Sequence, residues 1–201
     1  MKISFKLLTA VAVAAMIILP VTSSAGNSHS TVNKSIRIGA DTTAGDVDSV
    51  NGSIRIGASS SVKSVESVNG SIKLSSDVTV VDNVDAVNGG ITLGSGCEVG
   101  GDVETVNGGI HMQATLVSGD VETVNGGIRI LDGSEIVGNV RVEKPHGWSW
   151  NNKRKPVHVE IGKDVVVHGD LIFEHAVELE LHESARVGEI IGDEVEIVSN
   201  S

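Results

Sequence analysis

Short segments in which apolar and polar residues alternate recur along most of this chain. The stretch GDVETVNGGIRI at residues 119–130 repeats GDVETVNGGIHM at residues 101–112, and three earlier stretches carry the same V-N-G core. The Asn of that core falls at positions 51, 69, 88, 107 and 125, so successive steps are 18, 19, 19 and 18 residues. Self-similarity at such a short period is typical of a stacked solenoid.

When the repeats are aligned by V-N-G, the aliphatic residues fall into columns one coil apart. Each I-x-I or I-x-L pair has the alternation of a half-buried strand. The pattern therefore predicts three short strands per coil and an all-β fold, a single-stranded parallel β-helix with coils of 18–19 residues. The predicted apolar columns are Val47, Val65, Val84, Val103, Val121 and Val140; Val50, Val68, Val87, Val106 and Val124; Ile54, Ile72, Ile91, Ile110 and Ile128; Ile56, Leu74, Leu93, Met112 and Ile130; and a looser set of Val62, Val99 and either Ile136 or Val137.

The V-N-G core is interpreted as a corner that every coil turns at the same place. Gly and Asn tolerate positive φ, and Asn side chains stacked at the strand spacing of about 4.8 Å can form a hydrogen-bonded amide ladder. The alternative is that each Asn-Gly closes a two-residue hairpin between antiparallel strands. A constant period of 18–19 residues favours the corner, since a meander has no reason to keep its columns in step.

The ends of the chain differ from the repeats. Lys2 and Lys6 precede an apolar run over residues 7–19, and Ala25 stands at a suitable cleavage site, so residues 1–25 are expected to be a signal peptide. The run is shorter than the roughly 20 residues of a membrane span, so no transmembrane anchor is expected after the leader is removed. We expect a protein exported to the periplasm, cell surface or exterior of a bacterium. The predicted units are 26–143, the V-N-G β-helix; 144–156, an inserted loop; and 157–201, a continuation of the β-helix and its C-terminal cap.

Charge and composition exclude some functions. Loss of Lys2 and Lys6 changes the formal net charge from −11 to −13, which opposes binding to nucleic acid or anionic membranes. Cys97 is the only cysteine, so it forms no internal disulfide and is expected to be a small buried residue. The chain has no Tyr, only two Trp and two Phe. This low aromatic content is consistent with a narrow core of Val, Ile and Leu.

Two motifs resemble known families. The segments GGDV at 100–103, SGDV at 118–121 and HGDL at 168–171 resemble a motif that recurs between the short coils of bactofilins. Bactofilins are bacterial polymer-forming proteins built on a compact parallel β-helix. The recurring V-N-G-[SG]-I is similar to adhesin-type β-solenoids of bacterial envelopes. Together the resemblance covers residues 32–197 and implies a β-solenoid without catalytic residues. Bactofilins are typically cytoplasmic, whereas this chain has a leader, so a cytoskeletal role is not implied.

Two polar columns are candidates for function. The acidic column would bring like charges to about 5 Å, and either solvent screens it or divalent cations bind along it as a metal ladder. The partly basic column should point outward and would permit side-by-side association of copies, unless it is only a by-product of repeat duplication. The acidic column is Asp48, Glu66, Asp85, Glu104 and Glu122; the basic column is Arg37, Arg55, Lys73, Thr92, His111 and Arg129.

Catalysis is not expected. The histidines at positions 111, 158, 168, 175 and 182 share no position in the repeat, and no carboxylate pair differs from its neighbours as acid–base chemistry requires. We therefore expect no cofactor and a noncatalytic envelope or extracellular scaffold or adhesin that self-associates. The alternative is a β-helix that binds or modifies polysaccharides.

The inserted segment KPHGWSWNNKRKP at residues 144–156 breaks the repeat between two prolines. Loops that interrupt a regular stack are tolerated and often carry binding groups. Exposed Trp rings stack on sugars and cations attract carboxylates, so this loop predicts a site for an acidic envelope polysaccharide. In the alternative, both Trp rings pack on the side of the helix. The candidate binding residues are Lys144, Trp148, Trp150, Lys153, Arg154 and Lys155.

Trp148 and Trp150 are the only tryptophans, so their fluorescence reports on this loop alone. If the loop binds glycans, emission should be red-shifted and should change when cell-wall polysaccharide is added. The variant Trp148→Ala/Trp150→Ala should then pull down less cell wall. Blue-shifted emission that no glycan changes, together with unaltered pull-down of the variant, would assign the loop to packing.

Overall fold

Residues 27–144 and 155–200 are described by a computed structural model, and they form β-strands without any helix. In chain order the strands are β1 (His29–Thr31), β2 (Ile36–Ile38), β3 (Val47–Ser49), β4 (Ile54–Ile56), β5 (Ser61–Val62), β6 (Val65–Ser67), β7 (Ile72–Leu74), β8 (Thr79–Val80), β9 (Val84–Ala86), β10 (Ile91–Leu93), β11 (Glu98–Val99) and β12 (Val103–Thr105). They continue with β13 (Ile110–Gln113), β14 (Leu116–Val117), β15 (Val121–Thr123), β16 (Ile128–Leu131), β17 (Glu135–Ile136), β18 (Val140–Val142), β19 (Val157–Ile161), β20 (Val166–Val167), β21 (Leu171–Phe173), β22 (Val177–His182), β23 (Ile190–Ile191) and β24 (Val195–Asn200).

The strands form three parallel sheets that run along one axis. Sheet A has nine strands in the order β1-β3-β6-β9-β12-β15-β18-β21-β23, and sheet B has nine in the order β2-β4-β7-β10-β13-β16-β19-β22-β24. Sheet C has six short strands, from β5 to β20. The predicted β-solenoid is confirmed, with about eight turns of roughly 19 residues. Every ladder among the described strands is parallel, so the hairpin alternative for Asn-Gly is wrong.

The core is a narrow stack of aliphatic side chains in register. The columns headed by Val47, Ile54 and Ile56 are buried as predicted. In the column of Val62 and Val99 the inward residue is Ile136, whereas Val137 is 49% exposed. Cys97 is buried in a further column, between Val78 and Thr115, as expected for a small core residue.

One predicted apolar column is wrong. Val50 and its equivalents are half-buried beside the corner, except Val124, which is 5% exposed. The inward position is one residue earlier and holds Ser49, Ser67, Ala86, Thr105, Thr123, Val142 and Phe173. Small hydroxyl side chains fit there because they bond the backbone of the corner. Thr105 Oγ1, for example, donates to the carbonyl of Gly89 at 3.0 Å.

The V-N-G corner carries the predicted amide ladder. From Asn51 to Asn125, each Asn Nδ2 donates to the Asn Oδ1 of the coil before at 2.9–3.0 Å, beginning at Asn33. The expected positive φ is wrong, because none of these Asn or Gly residues adopts it. The glycines are required by proximity instead, since a Cβ on Gly70 would collide with the carbonyl of Gly52.

Positive φ is found at a different corner, between sheets B and C. It recurs three residues before each inward residue of the Val62 column, although non-glycine residues seldom adopt it. The sequence signal is weak because the residue type varies from coil to coil. The residues are Asp41, Ser59, Asp77, Gly96, Ala114, Gly133 and Asp164, with Asp132 as an additional member.

The inserted segment leaves the stack at the V-N-G corner. Glu143 N–H donates to Thr123 O at 2.8 Å, which puts Glu143 and Lys144 in the positions that Val and Asn occupy in earlier coils. After residues 145–154, which lie outside the described residues, β19 pairs in register with β16. The strand ladders therefore continue on both sides of the insertion.

Inside and outside positions can be tested on one strand. Ile91 is 1% exposed between Ile72 and Ile110, whereas the neighbouring Thr92 points outward. Ile91→Asp should destabilise the protein by more than about 4 kcal/mol, because it buries an unpaired charge, and Thr92→Asp by less than about 1 kcal/mol. Thermal or urea unfolding measures both. Equal losses would contradict the assignment of the two faces.

Candidate functional site

The acidic column stacks in register on the outer face of sheet A, as its spacing predicted. Asp48 pairs with Glu66, Glu66 with Asp85, Asp85 with Glu104, and Glu104 with Glu122 across consecutive strands. Parallel neighbours lie about 4.8 Å apart, so the structure brings all five carboxyl groups into one line. We call this line the carboxylate ladder.

Burial increases along the carboxylate ladder towards the C-terminal coils. Asp48, Glu66 and Asp85 are half-buried, whereas Glu104 is 4% exposed and Glu122 is fully buried. Sequence reasoning expected either a solvated face or a cation-binding row, and it did not expect carboxyl groups covered by protein. Outward strand positions are indistinguishable in the sequence pattern, so this burial had no signal there.

Burial changes the protonation of the ladder. Loss of water, together with repulsion from neighbouring carboxylates, raises the pKa of Glu66 and that of Asp85 to about 7. The same causes raise the pKa of Glu122 to about 8, although Arg141 opposes the shift. Loss of water also raises the pKa of Asp48, while a hydrogen bond from Ser30 limits the change. Part of the ladder therefore holds protons near neutral pH, which lowers its charge.

Arg141 ends the carboxylate ladder. It is the register partner of Glu122, and its Nε lies 3.3 Å from Glu122 Oε1 and 3.6 Å from Asp120 Oδ2. Neither Glu122 oxygen makes a hydrogen bond within the described part of the chain. In the coil after Glu122, the position that earlier coils fill with a carboxylate is thus filled by the guanidinium of Arg141. A divalent ion would have to displace protons and compete with this guanidinium, so the metal ladder stays a prediction.

A second row of polar side chains explains the G-D-V motif. Asp102 Oδ1 accepts the backbone N–H of Asp120 at 2.8 Å, and Asp120 Oδ1 accepts that of Asn139 at 2.8 Å. Asn139 Oδ1 and Asp170 Oδ1 do the same for the coils that follow. Each of these side chains satisfies the backbone N–H at the equivalent position one coil later. The Asp or Asn of the motif therefore stabilises the stacking of successive coils.

The basic column lies on the outer face of sheet B, as predicted. Arg37, Arg55 and Lys73 are exposed and paired in register, and Thr92 and His111 follow them half-buried. The column changes sign after Arg129, whose Nε lies 2.6 Å from Glu160 Oε2. Sheet B thus has a basic N-terminal half and an acidic C-terminal half.

A cluster of potential metal ligands that sequence reasoning missed lies on that acidic half. His158, Glu160 and Glu180 each place one ligand atom within 4.8 Å of the others, and His158 Nε2 is 3.5 Å from Glu180 Oε2. One imidazole and two carboxylates suit a transition metal. The H-x-E spacing on one strand and E-x-E on the next could have revealed it, because alternate residues share a face.

The loop residues are only partly described. Lys144 and Lys155, at the two ends of the insertion, are exposed, and Lys144 N–H donates to Glu174 Oε2 at 3.2 Å. Trp148, Trp150, Lys153 and Arg154 lie outside the described residues, so their predicted role in binding stays a prediction.

Comparison with known proteins gives no family. No known protein family, curated protein or solved structure matches this chain. The structure shows a parallel β-solenoid, and the resemblance to bactofilins and adhesin-type solenoids stays a prediction. In residues 27–144 and 155–200 there is no helix long and apolar enough to cross a membrane.

The carboxylate ladder predicts an unusual dependence of stability on pH. A carboxyl group whose pKa is higher in the folded state binds more protons there than in the unfolded chain, so stability falls as pH rises. For Glu66, Asp85 and Glu122 this window runs from the unfolded value of about 4 up to about 7–8. The melting temperature should therefore be higher at about pH 5 than at about pH 8.5.

Two matched triple variants check the origin of this effect. Glu66→Gln/Asp85→Asn/Glu122→Gln should flatten the pH dependence and raise the melting temperature at the alkaline end. Asp82→Asn/Glu98→Gln/Glu178→Gln removes three exposed carboxyl groups and should leave the dependence unchanged. The same slope in the wild type and the ladder variant would contradict the assignment.

Proposed function

We propose that this protein is a noncatalytic scaffold or adhesin of the bacterial envelope or extracellular space, and that its copies assemble end to end. The observation that supports the proposal is the last described coil, whose outer edge is not paired with any other described strand. Solenoids that remain monomeric usually carry a capping element with a polar outer face at each end. The described part of residues 157–201 ends in β24, which continues sheet B, and the C-terminal cap stays a prediction.

The last coil exposes residues that earlier coils bury. Ile197 is in register with the fully buried Leu179, yet it is 54% exposed. Two further apolar residues are exposed on outer faces: Val198, in register with Glu180 on sheet B, is 41% exposed, and Ile191, in register with Ile172 on sheet A, is 44% exposed. The strand β24 has six residues and pairs with β22 alone among the described strands, so one edge of its backbone is free to pair. A long edge strand with apolar side chains is a template for another strand.

Charge favours a second copy in head-to-tail orientation. The last coil is acidic, with Asp193, Glu194 and Glu196, whereas the first described coil carries Lys34 and Arg37. If two C-terminal ends met, these carboxylates would repel each other. If β24 met β2 of another copy in register, Arg37 would lie next to the position of Val198, within reach of Glu196. Repetition of that contact gives a filament.

The alternative function is polysaccharide binding, for which the Trp-containing insertion is the predicted site. Its two ends, Lys144 and Lys155, are exposed on the V-N-G corner. Both ends of the insertion therefore lie on the side of the stack and not at the last coil. Glycan binding by the loop is therefore compatible with end-to-end assembly.

End-to-end assembly predicts different effects for two exposed apolar residues. Ile197→Lys places a charge on the last coil and should give monomers, whereas Val137→Lys, at a site 49% exposed in the middle of the stack, should leave assembly intact. Size-exclusion chromatography with light scattering and electron microscopy of the mature protein measure both.

Salt separates end stacking from pairing of the charged columns. Backbone hydrogen bonds and apolar burial persist at high ionic strength, whereas contacts between exposed charges are screened. Assemblies should therefore survive about 1 M salt, where the Debye length is about 3 Å. A wild-type protein that is monomeric at high concentration, in both low and high salt, would refute the scaffold proposal.

A further inference from the structure

Three cations on the outer face of sheet B have no carboxylate partner within the described residues. Arg37, Arg55 and Lys73 take part in no ion pair or side-chain hydrogen bond there. Three other described cations are paired: Lys63 with Asp46, Arg129 with Glu160, and Arg141 with Glu122 and Asp120. Lys34, Lys163 and Arg186 also lack an ion pair among the described residues, but they do not form a row in register.

The arrangement of these three cations costs stability. They occupy consecutive strands β2, β4 and β7 in register, so neighbouring charges project from backbones about 4.8 Å apart. Like charges directly opposite each other on a sheet are destabilising. A bound anion would remove the repulsion, and in a protein with an excess of carboxylates none of the described ones does so.

The same three side chains line an open groove. The groove is also lined by Ile38, Gly39, Ala40, Ile56, Gly57 and Ser75. A Cβ on Gly57 would collide with the backbone of Ala40, so no residue with a side chain fits at that position. The groove therefore lets an extended ligand approach the backbone closely while its acidic groups meet the cations.

We propose that this groove binds a linear acidic polysaccharide, with one carboxylate or sulfate group contacting each of Arg37, Arg55 and Lys73. The cation row is about 10 Å long, since it spans two strand spacings. Guanidinium groups bind carboxylates and sulfates through paired hydrogen bonds. The groove lies within one copy, so binding does not require assembly, although Arg37 at its edge also faces the proposed end-to-end contact.

The structure favours a polysaccharide over a nucleic acid. Both ligands are polyanions, so the net charge of −11 of the whole chain does not distinguish them, and the distinction lies in the lining of the groove. Proteins that bind single strands stack bases on aromatic side chains, and no aromatic residue lines this groove. A glycan needs no aromatic stacking partner and can lie against the backbone of the groove.

The test is isothermal titration calorimetry with an oligogalacturonate as the acidic probe and dextran of similar length as the neutral one. The wild type should bind oligogalacturonate, not dextran, and more weakly as salt rises. Arg37→Gln/Arg55→Gln/Lys73→Gln should weaken binding roughly tenfold or more, since three charge-assisted contacts are lost. Thr92→Lys adds a fourth cation to the row and should strengthen binding.

A matched variant controls for net charge. Lys63→Gln/Arg129→Gln/Lys163→Gln removes the same number of charges outside the groove and should keep the wild-type affinity. Because Arg37, Arg55 and Lys73 are exposed, the groove variant should fold, with a melting temperature equal to or above that of the wild type. A variant that loses affinity for oligogalacturonate but keeps or gains stability would show that these three cations serve binding and not the fold.

Three results would overturn the proposal. The first is no measurable binding of oligogalacturonate to the wild type, and the second is an equal loss of affinity in both triple variants. The third is single-stranded DNA binding as tightly as oligogalacturonate, which would assign the groove to polyanions in general. Ile197→Lys should bind oligogalacturonate like the wild type, so failure of assembly and failure of glycan binding are distinguishable.

Discussion

Parallel in-register stacking is the constraint on which the rest of this structure depends. Each residue lies about 4.8 Å from the residue at the same position in the next coil. In a repeated sequence, most side chains therefore have a neighbour of the same chemical type. Aliphatic groups tolerate this by filling a continuous core, and amides by hydrogen bonding from Asn33 to Asn125. Charged groups cannot tolerate it without protons, counter-charges or ligands.

The two charged rows resolve this conflict differently. On sheet A the carboxyl groups are partly or fully buried, and burial raises the pKa of Asp85 and that of Glu122. The row is followed in register by Arg141. On sheet B the row from Arg37 to Lys73 remains exposed and unpaired among described residues, and only farther along does Arg129 meet Glu160. The charge of the first row is lowered within the protein, by protonation and by Arg141. The second row has no carboxylate partner among the described residues, which is why we infer a binding site there.

Sequence reasoning reached most of the fold because the repeat supplies it directly. The period placed Ile54 and Ile72 in one buried column and Asn51 and Asn69 in one amide ladder. The pattern is misleading where the inward residue is a small polar one and its neighbour is apolar. It predicts Val50 in the core, but the inward residue is Ser49, whose hydroxyl bonds the corner. The depth of Glu122 and the missing partners of Arg55 depend on distances between side chains, which periodicity does not contain.

The identity of successive coils also makes the length of this molecule adjustable. Because β7, β10 and β13 pair through equivalent residues, a duplicated or deleted repeat would find the same neighbours on both sides. Each repeat would move the C-terminal edge about 4.8 Å from the groove near the first coils without altering either. The number of repeats thus sets the distance between the groove and the C-terminal edge in steps of one strand spacing.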